Sequence, residues 1–118
     1  MELVIFVGKD KENWGQLTAL VNRMDCEKII VVKNSQAEGF PINSKCHVIS
    51  IEDSLPLVEM KKQLVEELKP KLSGDFEVAL SLASGSGKEH MALLSALLSV
   101  PVGVRLAVYT KQGIVYVN

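Results

Sequence analysis

Continuous apolar runs alternate along the chain with amphipathic stretches, and this alternation is typical of a parallel α/β fold. Residues 3–7 are all apolar and are followed by Gly8, which predicts a strand buried on both faces. Short β-branched runs at residues 29–32 and 47–51 predict the second and third strands. The polar segment between these two strands, residues 33–46, holds glycine and proline and predicts a loop rather than a helix.

Three stretches have helical periodicity or helical composition. Apolar residues recur every three or four positions from residue 14 to residue 24, which predicts an amphipathic helix with Asn13 as its N-cap. The Asp-Ser pair at residues 53–54 predicts the start of a second helix, which ends near Pro70. Residues 91–98 predict a third helix that is apolar on almost every side.

The remaining segments complete a sheet. Residues 76–83 predict a fourth strand, and residues 102–110 and 113–117 predict a closing hairpin. This order of elements predicts a single Rossmann-like α/β domain over residues 1–118, with a mainly parallel sheet and helices on both faces. Right-handed crossovers favour a strand order near 3-2-1-4-5-6, in which the C-terminal hairpin forms an antiparallel edge.

The composition of the chain limits which ligands, metals and cellular locations we expect for it. Thirteen Lys and Arg against 14 Asp and Glu give a net charge of -1, which argues against binding of long duplex nucleic acid by bulk charge. Cys26, Cys46, His47 and His90 lack the short paired spacing of a structural zinc site, so we expect no metal and no cofactor. The chain has no apolar run of membrane-spanning length and no signal-peptide pattern at its N-terminus, which predicts a cytoplasmic protein.

The predicted strand order places a ligand site between the first and fourth strands. In an open α/β sheet, ligands bind beyond the carboxyl ends of the strands at the point where the strand order reverses. Both loops that leave these strands are small, polar and lysine-bearing, and each leads to a helix N-terminus, where free N–H groups suit phosphate oxygens. We therefore predict ligand contacts from Gly8, Lys9, Asp10 and Asn13 in the first loop, and from Ser84, Gly85, Ser86, Gly87 and Lys88 in the second.

Neither loop carries a complete nucleotide-binding motif. A P-loop needs a hydroxyl residue after Gly87 and Lys88, but Glu89 stands there. The dinucleotide fingerprint fails at its third glycine, where the chain has His90. An NTPase and a standard NAD enzyme are therefore disfavoured. The alternative for the second loop is a flexible turn with a solvated lysine.

The second loop and its flanking elements resemble a known motif. A strand over residues 78–83, the Ser/Gly turn with Lys88 and a helix rich in alanine and leucine are similar to the second motif of the CRISPR-associated Rossmann fold (CARF) superfamily. The loop from Gly8 to Asn13 matches the first motif of that superfamily, the loop after strand one. The turn here is Ser-Gly-Ser-Gly rather than the commoner Gly-Gly-Thr type, which leaves the identity of the ligand open.

The resemblance implies a homodimer that binds a cyclic oligoadenylate across its two-fold axis, with both loops lining the pocket. Some compact family members also open the ring without metal, by attack of a ribose 2′-hydroxyl on the adjacent phosphate. On this resemblance Lys88 and Ser86 are the candidate catalytic residues. Lys88 would stabilise the charge that develops on the phosphate, and Ser86 would hydrogen-bond the phosphate or the ribose.

Alternative interpretations of other residues stay open. The third helix either admits a close partner along its small side chains or lies wholly beneath its own sheet; these side chains are Ala92, Ser95, Ala96 and Ser99. If the helix docks a different protein, the chain is a stand-alone interaction module or regulatory subunit with no small-molecule ligand. For Trp14, His90 and Arg105, roles in packing, helix capping and the solvated surface are favoured over ligand contact.

Overall fold

The computed structural model describes residues 1–74, 76–100 and 102–118, and these residues form one mixed sheet flanked by helices. The strands are β1 (Glu2–Val7), β2 (Ile29–Asn34), β3 (Cys46–Ile51), β4 (Glu77–Ser81), β5 (Gly103–Thr110) and β6 (Gly113–Tyr116). The helices are α1 (Trp14–Arg23), α2 (Leu57–Leu68) and α3 (Gly87–Ser99), and a single 3-10 turn, Lys11–Asn13, precedes α1.

The sheet has the strand order β3-β2-β1-β4-β5-β6, as the sequence predicts. Each neighbouring pair from β3 to β5 is parallel, and the β5–β6 hairpin supplies the antiparallel edge. β1 lies in the centre, where Leu3 pairs with Ile29 of β2 on one side and with Ala79 of β4 on the other. The carboxyl ends of β1 and β4 therefore lie side by side at the point where the strand order reverses.

Alternate residues of β1 point to opposite faces of the sheet and build two separate cores. Leu3 and Ile5 pack with the apolar stripe of α1 on one face. Val4 and Phe6 pack with α2 and α3 on the other face. All four side chains are fully buried, which explains why β1 is apolar at every position from residue 3 to residue 7.

Three elements, β4, α2 and α3, have boundaries that differ from the predicted ones. β4 ends at Ser81, and Phe76 before it is exposed rather than part of the strand. α2 begins at Leu57, because Pro56 occupies the N-cap position and the Asp-Ser pair at residues 53–54 remains in the loop. α3 begins at Gly87, four residues before the predicted start, because Ser86 caps it. No helix in the described residues combines the length and the apolar composition needed to cross a bilayer.

Candidate functional site

An open cavity of about 340 Å³ lies at the carboxyl edge of the sheet, around the point where the strand order reverses. The loop after β1, the end of β2, the loop after β3 and the N-terminus of α3 all contribute to it. Its lining residues are Lys9, Asp10, Asn34, Asp53, Gly85, Ser86 and Glu89. The two loops predicted from the sequence therefore meet at one cavity, together with residues from β2 and from the loop after β3.

Asp10 joins the two predicted loops through its carboxylate. One oxygen, Oδ1, accepts the hydroxyl proton of Ser84 at 2.6 Å and the backbone N–H of Gly85 at 3.0 Å. The other oxygen, Oδ2, accepts a hydrogen bond from Asn13 Nδ2 at 2.7 Å. Burial alone would raise the pKa of Asp10, but the bonds from Ser84, Asn13 and Gly85 outweigh it and hold the pKa below its ordinary value. Asp10 is therefore a fixed anion that holds the site together.

The same contacts give several predicted ligand residues a structural role. Ser84 is buried and its Oγ also accepts the backbone N–H of Gly8 at 2.8 Å. Asn13 occupies the N-cap position of α1, as predicted, but its side chain makes no capping bond and turns to Asp10 instead. Gly8, Asn13 and Ser84 thus lie outside the lining of the cavity, because Gly8 and Ser84 bond each other between the two loops and Asn13 bonds Asp10 within the first loop.

The two loops can approach each other because both carry glycine where they touch. A Cβ on Gly8 would lie 2.6 Å from the Cα of Gly85, well inside a van der Waals contact. Gly85 has φ +104°, and a Cβ on it would lie 2.6 Å from the ring of Phe6. These glycines therefore allow one loop to pack against the other and against β1. Gly85 also lines the cavity, and the close approach of these glycines to a ligand stays a prediction.

The N-terminus of α3 carries a complete capping box. Ser86 Oγ accepts the backbone N–H of Glu89 at 3.2 Å, and Glu89 Oε1 accepts the backbone N–H of Ser86 at 2.8 Å. The backbone N–H groups of Gly87 and Lys88 have no partner among the described residues, since the first turn of a helix lacks intrahelical acceptors. Gly87 and Lys88 are thus helical residues rather than turn residues, and they leave two donors at the positive end of the helix dipole.

Three polar residues that the sequence analysis did not predict complete the cavity wall. Asn34, at the end of β2, is only 2% exposed, and its Nδ2 donates to Asp53 Oδ2 at 3.1 Å and to Glu89 Oε2 at 2.9 Å. Its Oδ1 accepts the backbone N–H of Gln36 at 2.9 Å. Asn34 and Asp53 follow the carboxyl ends of β2 and β3, so the rule that selected the loops after β1 and β4 could have found them.

Both lysines of the site are directed at Asp53. Lys9 Nζ lies 3.4 Å from Asp53 Oδ2, and Lys88 Nζ donates to the backbone carbonyl of Asp53 at 2.8 Å. The hydrogen bond from Asn34, with the nearby lysines, holds the pKa of Asp53 below its ordinary value. Lys9 therefore lines the cavity together with the carboxylates of Asp10, Asp53 and Glu89, whereas Lys88, although predicted as a ligand contact, lies outside the lining and contacts the backbone of Asp53.

The remaining candidates take structural positions. Nε2 of His90 lies 2.6 Å from the backbone carbonyl of Ser84, and its ring packs edge-on against Phe6. Trp14 is half-buried; its Nε1–H donates to the carbonyl of Gly8 at 2.9 Å, and its ring meets Phe40. Arg105 packs over the ring of Tyr116, and its Nε donates to the carbonyl of Asn118 at 2.9 Å.

Metal ligation finds no support in the arrangement of side chains. Across residues 1–74, 76–100 and 102–118, no group of three or more His, Cys, Asp or Glu side chains is placed to hold a metal ion. The carboxylates of Asp10 and Glu89 are each bound to backbone N–H donors. The cavity is therefore lined by one lysine, by polar groups of Asn34, Gly85 and Ser86, and by three carboxylates that accept hydrogen bonds.

Comparison with known proteins identifies the fold but no family. No family model matches the chain, and no curated protein matches its sequence. Among solved structures, it is similar to Csm6 of Enterococcus italicus, determined bound to cyclic hexa-2′-fluoro-hexa-dAMP, with a TM-score of 0.61 and 14% sequence identity. The superposition covers 90% of this chain and 32% of Csm6, so the chain spans about a third of that neighbour's length. At this identity the likeness is one of fold, and it agrees with the Rossmann-like α/β fold that the sequence predicts.

Proposed function

We propose that this chain binds a cyclic oligoadenylate at the cavity between Lys9 and the N-terminus of α3, as one half of a homodimer. The observation that carries the proposal is the convergence of the α3 N-terminus and Lys9 on one cavity at the switch point, with Lys88 bound to the backbone carbonyl of Asp53, one of the lining residues. The similarity of fold to Csm6, whose structure holds a cyclic hexanucleotide, supports the ligand class.

The phosphate-binding part of the site is the first turn of α3. The free N–H groups of Gly87 and Lys88 and the dipole of a 13-residue helix favour an anion in front of Ser86. Lys9 lines the cavity, and the ammonium groups of Lys9 and Lys88 both contact Asp53, another lining residue. A ring phosphate at this position would accept hydrogen bonds from the backbone donors and gain charge-assisted contacts from the lysines.

The size of the cavity supports a paired site. A volume of about 340 Å³ is at the lower end of the range, roughly 300–1,000 Å³, in which drug-sized ligands are held. A ring of four to six nucleotides is much larger than a drug-sized ligand, so one protomer would hold only part of it. Two cavities related by a two-fold axis would share the ring, and this is the reason for proposing a homodimer.

Ring opening is the activity that these residues would add to binding. A ribose 2′-hydroxyl would attack the adjacent phosphorus, its proton would pass to solvent, and the bond from phosphorus to the 5′-oxygen would break. The products are a 2′,3′-cyclic phosphate and a 5′-hydroxyl that takes up a proton. Lys88 would stabilise the charge on the phosphoryl oxygens, and the Ser86 hydroxyl would donate to one of them while its oxygen keeps the Glu89 N–H.

Calorimetric titration with cyclic tetra-adenylate and cyclic hexa-adenylate, followed by chromatography of the nucleotides, tests both parts of the proposal. We expect binding by the unmodified protein and a loss of about tenfold or more in Lys88→Ala, because a charge-assisted contact to phosphate is removed. Lys69→Ala is the matched control, since Lys69 is exposed at the opposite end of α2 from the cavity. Equal binding by the two variants would contradict the assignment of the site.

The products separate binding from cleavage. Linear or 2′,3′-cyclic-phosphate fragments that disappear in Lys88→Ala, with and without a chelator, would establish ring opening at this site. Intact ring that co-elutes with the protein would establish a binding protein. Absence of both would contradict the proposal and favour docking of a protein partner through the exposed side chains of α3, Met91 and Leu98.

A further inference from the structure

Asp53 occupies the position at which an anionic ligand would meet the lysines of the site. Its carboxylate contacts Lys9 Nζ at 3.4 Å, and its backbone carbonyl accepts from Lys88 Nζ at 2.8 Å. Asp53 is itself one of the residues that line the cavity. A phosphate that enters the cavity must therefore compete with Asp53 for both cations.

The contacts of Asp53 with the two lysines are of a kind that a ligand phosphate can displace. The side chains of Lys9 and Asp53 are 55% and 39% exposed, and an ion pair in that environment is weak and screened by salt. Both lysines are long and flexible, so their ammonium groups can turn from Asp53 to a ligand without a change in the backbone. The hydrogen bond from buried Asn34, by contrast, fixes the carboxylate of Asp53 at the cavity wall.

We propose that Asp53 is an internal counter-anion that sets the affinity of the site for phosphate ligands. In the empty site it neutralises Lys9 and holds Lys88; in the bound site the ligand phosphate takes both ammonium groups, and the fixed carboxylate opposes it. The role rests on the proposed function, because it concerns the same cavity and ligand class. The role predicts that removal of the Asp53 charge tightens binding of the ring. Removal of a residue that contacts the ligand would instead weaken binding.

Asp53→Asn tests this role, since asparagine keeps the shape of the side chain and an oxygen for Asn34 while removing the charge. We expect cyclic tetra-adenylate or cyclic hexa-adenylate to bind about three- to tenfold more tightly, which is the effect of removing one unit charge near a phosphate in a partly solvated site. Glu52→Gln is the matched control. Glu52 is the adjacent residue, is exposed and contacts Ser35, so it loses the same charge without touching either lysine.

Lys9 provides the second half of the test. In a Lys9→Met background the Asp53→Asn change should give a smaller gain, because one of the two cations in competition is gone. If the unmodified protein binds the ring and Asp53→Asn binds equally or more weakly, the counter-anion role is wrong while the proposed function stands. The same holds if Glu52→Gln gives an equal gain. If neither the unmodified protein nor Asp53→Asn binds either ring, both the role and the proposed function are wrong.

Discussion

At the scale of the residue, Asp10 does most to hold the two loops of the site together. Its carboxylate accepts hydrogen bonds from Ser84, Gly85 and Asn13. Bonds to an ionised acceptor are stronger than bonds between neutral groups. An asparagine at this position has only one acceptor oxygen. Its NH2 group would take the place of the other carboxylate oxygen and would face a hydrogen-bond donor there instead of accepting from it.

We therefore expect Asp10→Asn to lower the free energy of unfolding by about 1–2 kcal/mol. Urea denaturation at neutral pH measures the change. Asp25→Asn, in the exposed loop after α1, loses the same charge and should stay within about 0.5 kcal/mol of the unmodified protein. A change in Asp10→Asn no larger than in Asp25→Asn would show that the carboxylate does not hold the loops.

Asp10 should also contribute to the loss of folding stability at acid pH. The folded protein holds the pKa of Asp10 below the ordinary value of 3.8, so the folded state binds this proton less readily than the unfolded state. The contribution of Asp10 is then complete above about pH 4 and is lost as the pH falls through the lowered pKa. Between about pH 6 and about pH 3 the unmodified protein should lose more stability than Asp10→Asn. Equal losses in urea titrations at the two pH values would contradict this assignment.

Sequence reasoning found four of the seven residues that line the cavity, and the division has a physical cause. Lys9, Asp10, Gly85 and Ser86 were predicted because apolar strands on either side identify the loops that contain them. Asp53 was interpreted as a helix start, since Asp-Ser before proline is a common capping pattern. Glu89 escaped notice because its buried contact with Asn34, 55 residues away, leaves no local pattern. Asn34 was missed because the rule for the carboxyl ends of strands was applied only to β1 and β4. Which polar groups bind each other depends on distances that only the folded chain sets.

At the scale of the element, the cap of α3 links the stability of the helix to the proposed site. Ser86 caps the helix through its hydroxyl oxygen and lines the cavity with the same side chain. Ser86→Ala removes the capping bond and should cost about 0.5–2 kcal/mol in the free energy of unfolding. Ser86→Asp should recover most of that loss, because aspartate is an equally good N-cap and its charge suits the helix dipole.

Ser86→Ala and Ser86→Asp should differ in ligand affinity, in the opposite order to their stability. Ser86→Asp should bind cyclic oligoadenylate more weakly than Ser86→Ala, although it is the more stable protein, since its carboxylate would repel the ring phosphates. Urea denaturation and calorimetry on the same samples measure both quantities. Binding that follows stability across the three proteins would show that Ser86 acts only as a cap.

The sequence patterns predict the order of the strands better than the residues at which the helices begin. The strand order was predicted correctly, because the spacing of apolar runs and the handedness of crossovers leave few alternatives. The start of α3 was placed four residues late, because glycine and serine are typical of turns and the capping box that overrides them depends on one buried glutamate. The start of α2 was placed too early, because capping residues at 53 and 54 were available but Pro56 determines where the helix begins.

At the scale of the whole molecule, the proposed homodimer needs a surface through which two copies can meet, and the outer face of α3 is the candidate. Of the small side chains that would either admit a partner or lie beneath the sheet, Ala92 and Ala96 are fully buried by the chain itself, whereas Ser95 is half-buried and Ser99 is exposed. Met91 and Leu98 are instead 60% and 69% exposed on the same helix, which begins at the proposed phosphate site. A two-fold contact through these side chains would bring two cavities to one axis, as a shared ring requires.

We therefore expect the unmodified protein to sediment as a dimer at micromolar concentration and the double variant Met91→Glu, Leu98→Glu to sediment as a monomer. Like charges brought together across a two-fold axis oppose association, whereas exposed positions tolerate glutamate with little change in folding stability. Val58→Glu is the matched control, since Val58 is 64% exposed on α2 and is equally apolar. The monomeric variant should also lose ring binding, because each cavity then holds only its own part of the ligand. A dimer that persists in the double variant would place the contact elsewhere, and an unmodified protein that is monomeric with and without the ring would contradict the paired site.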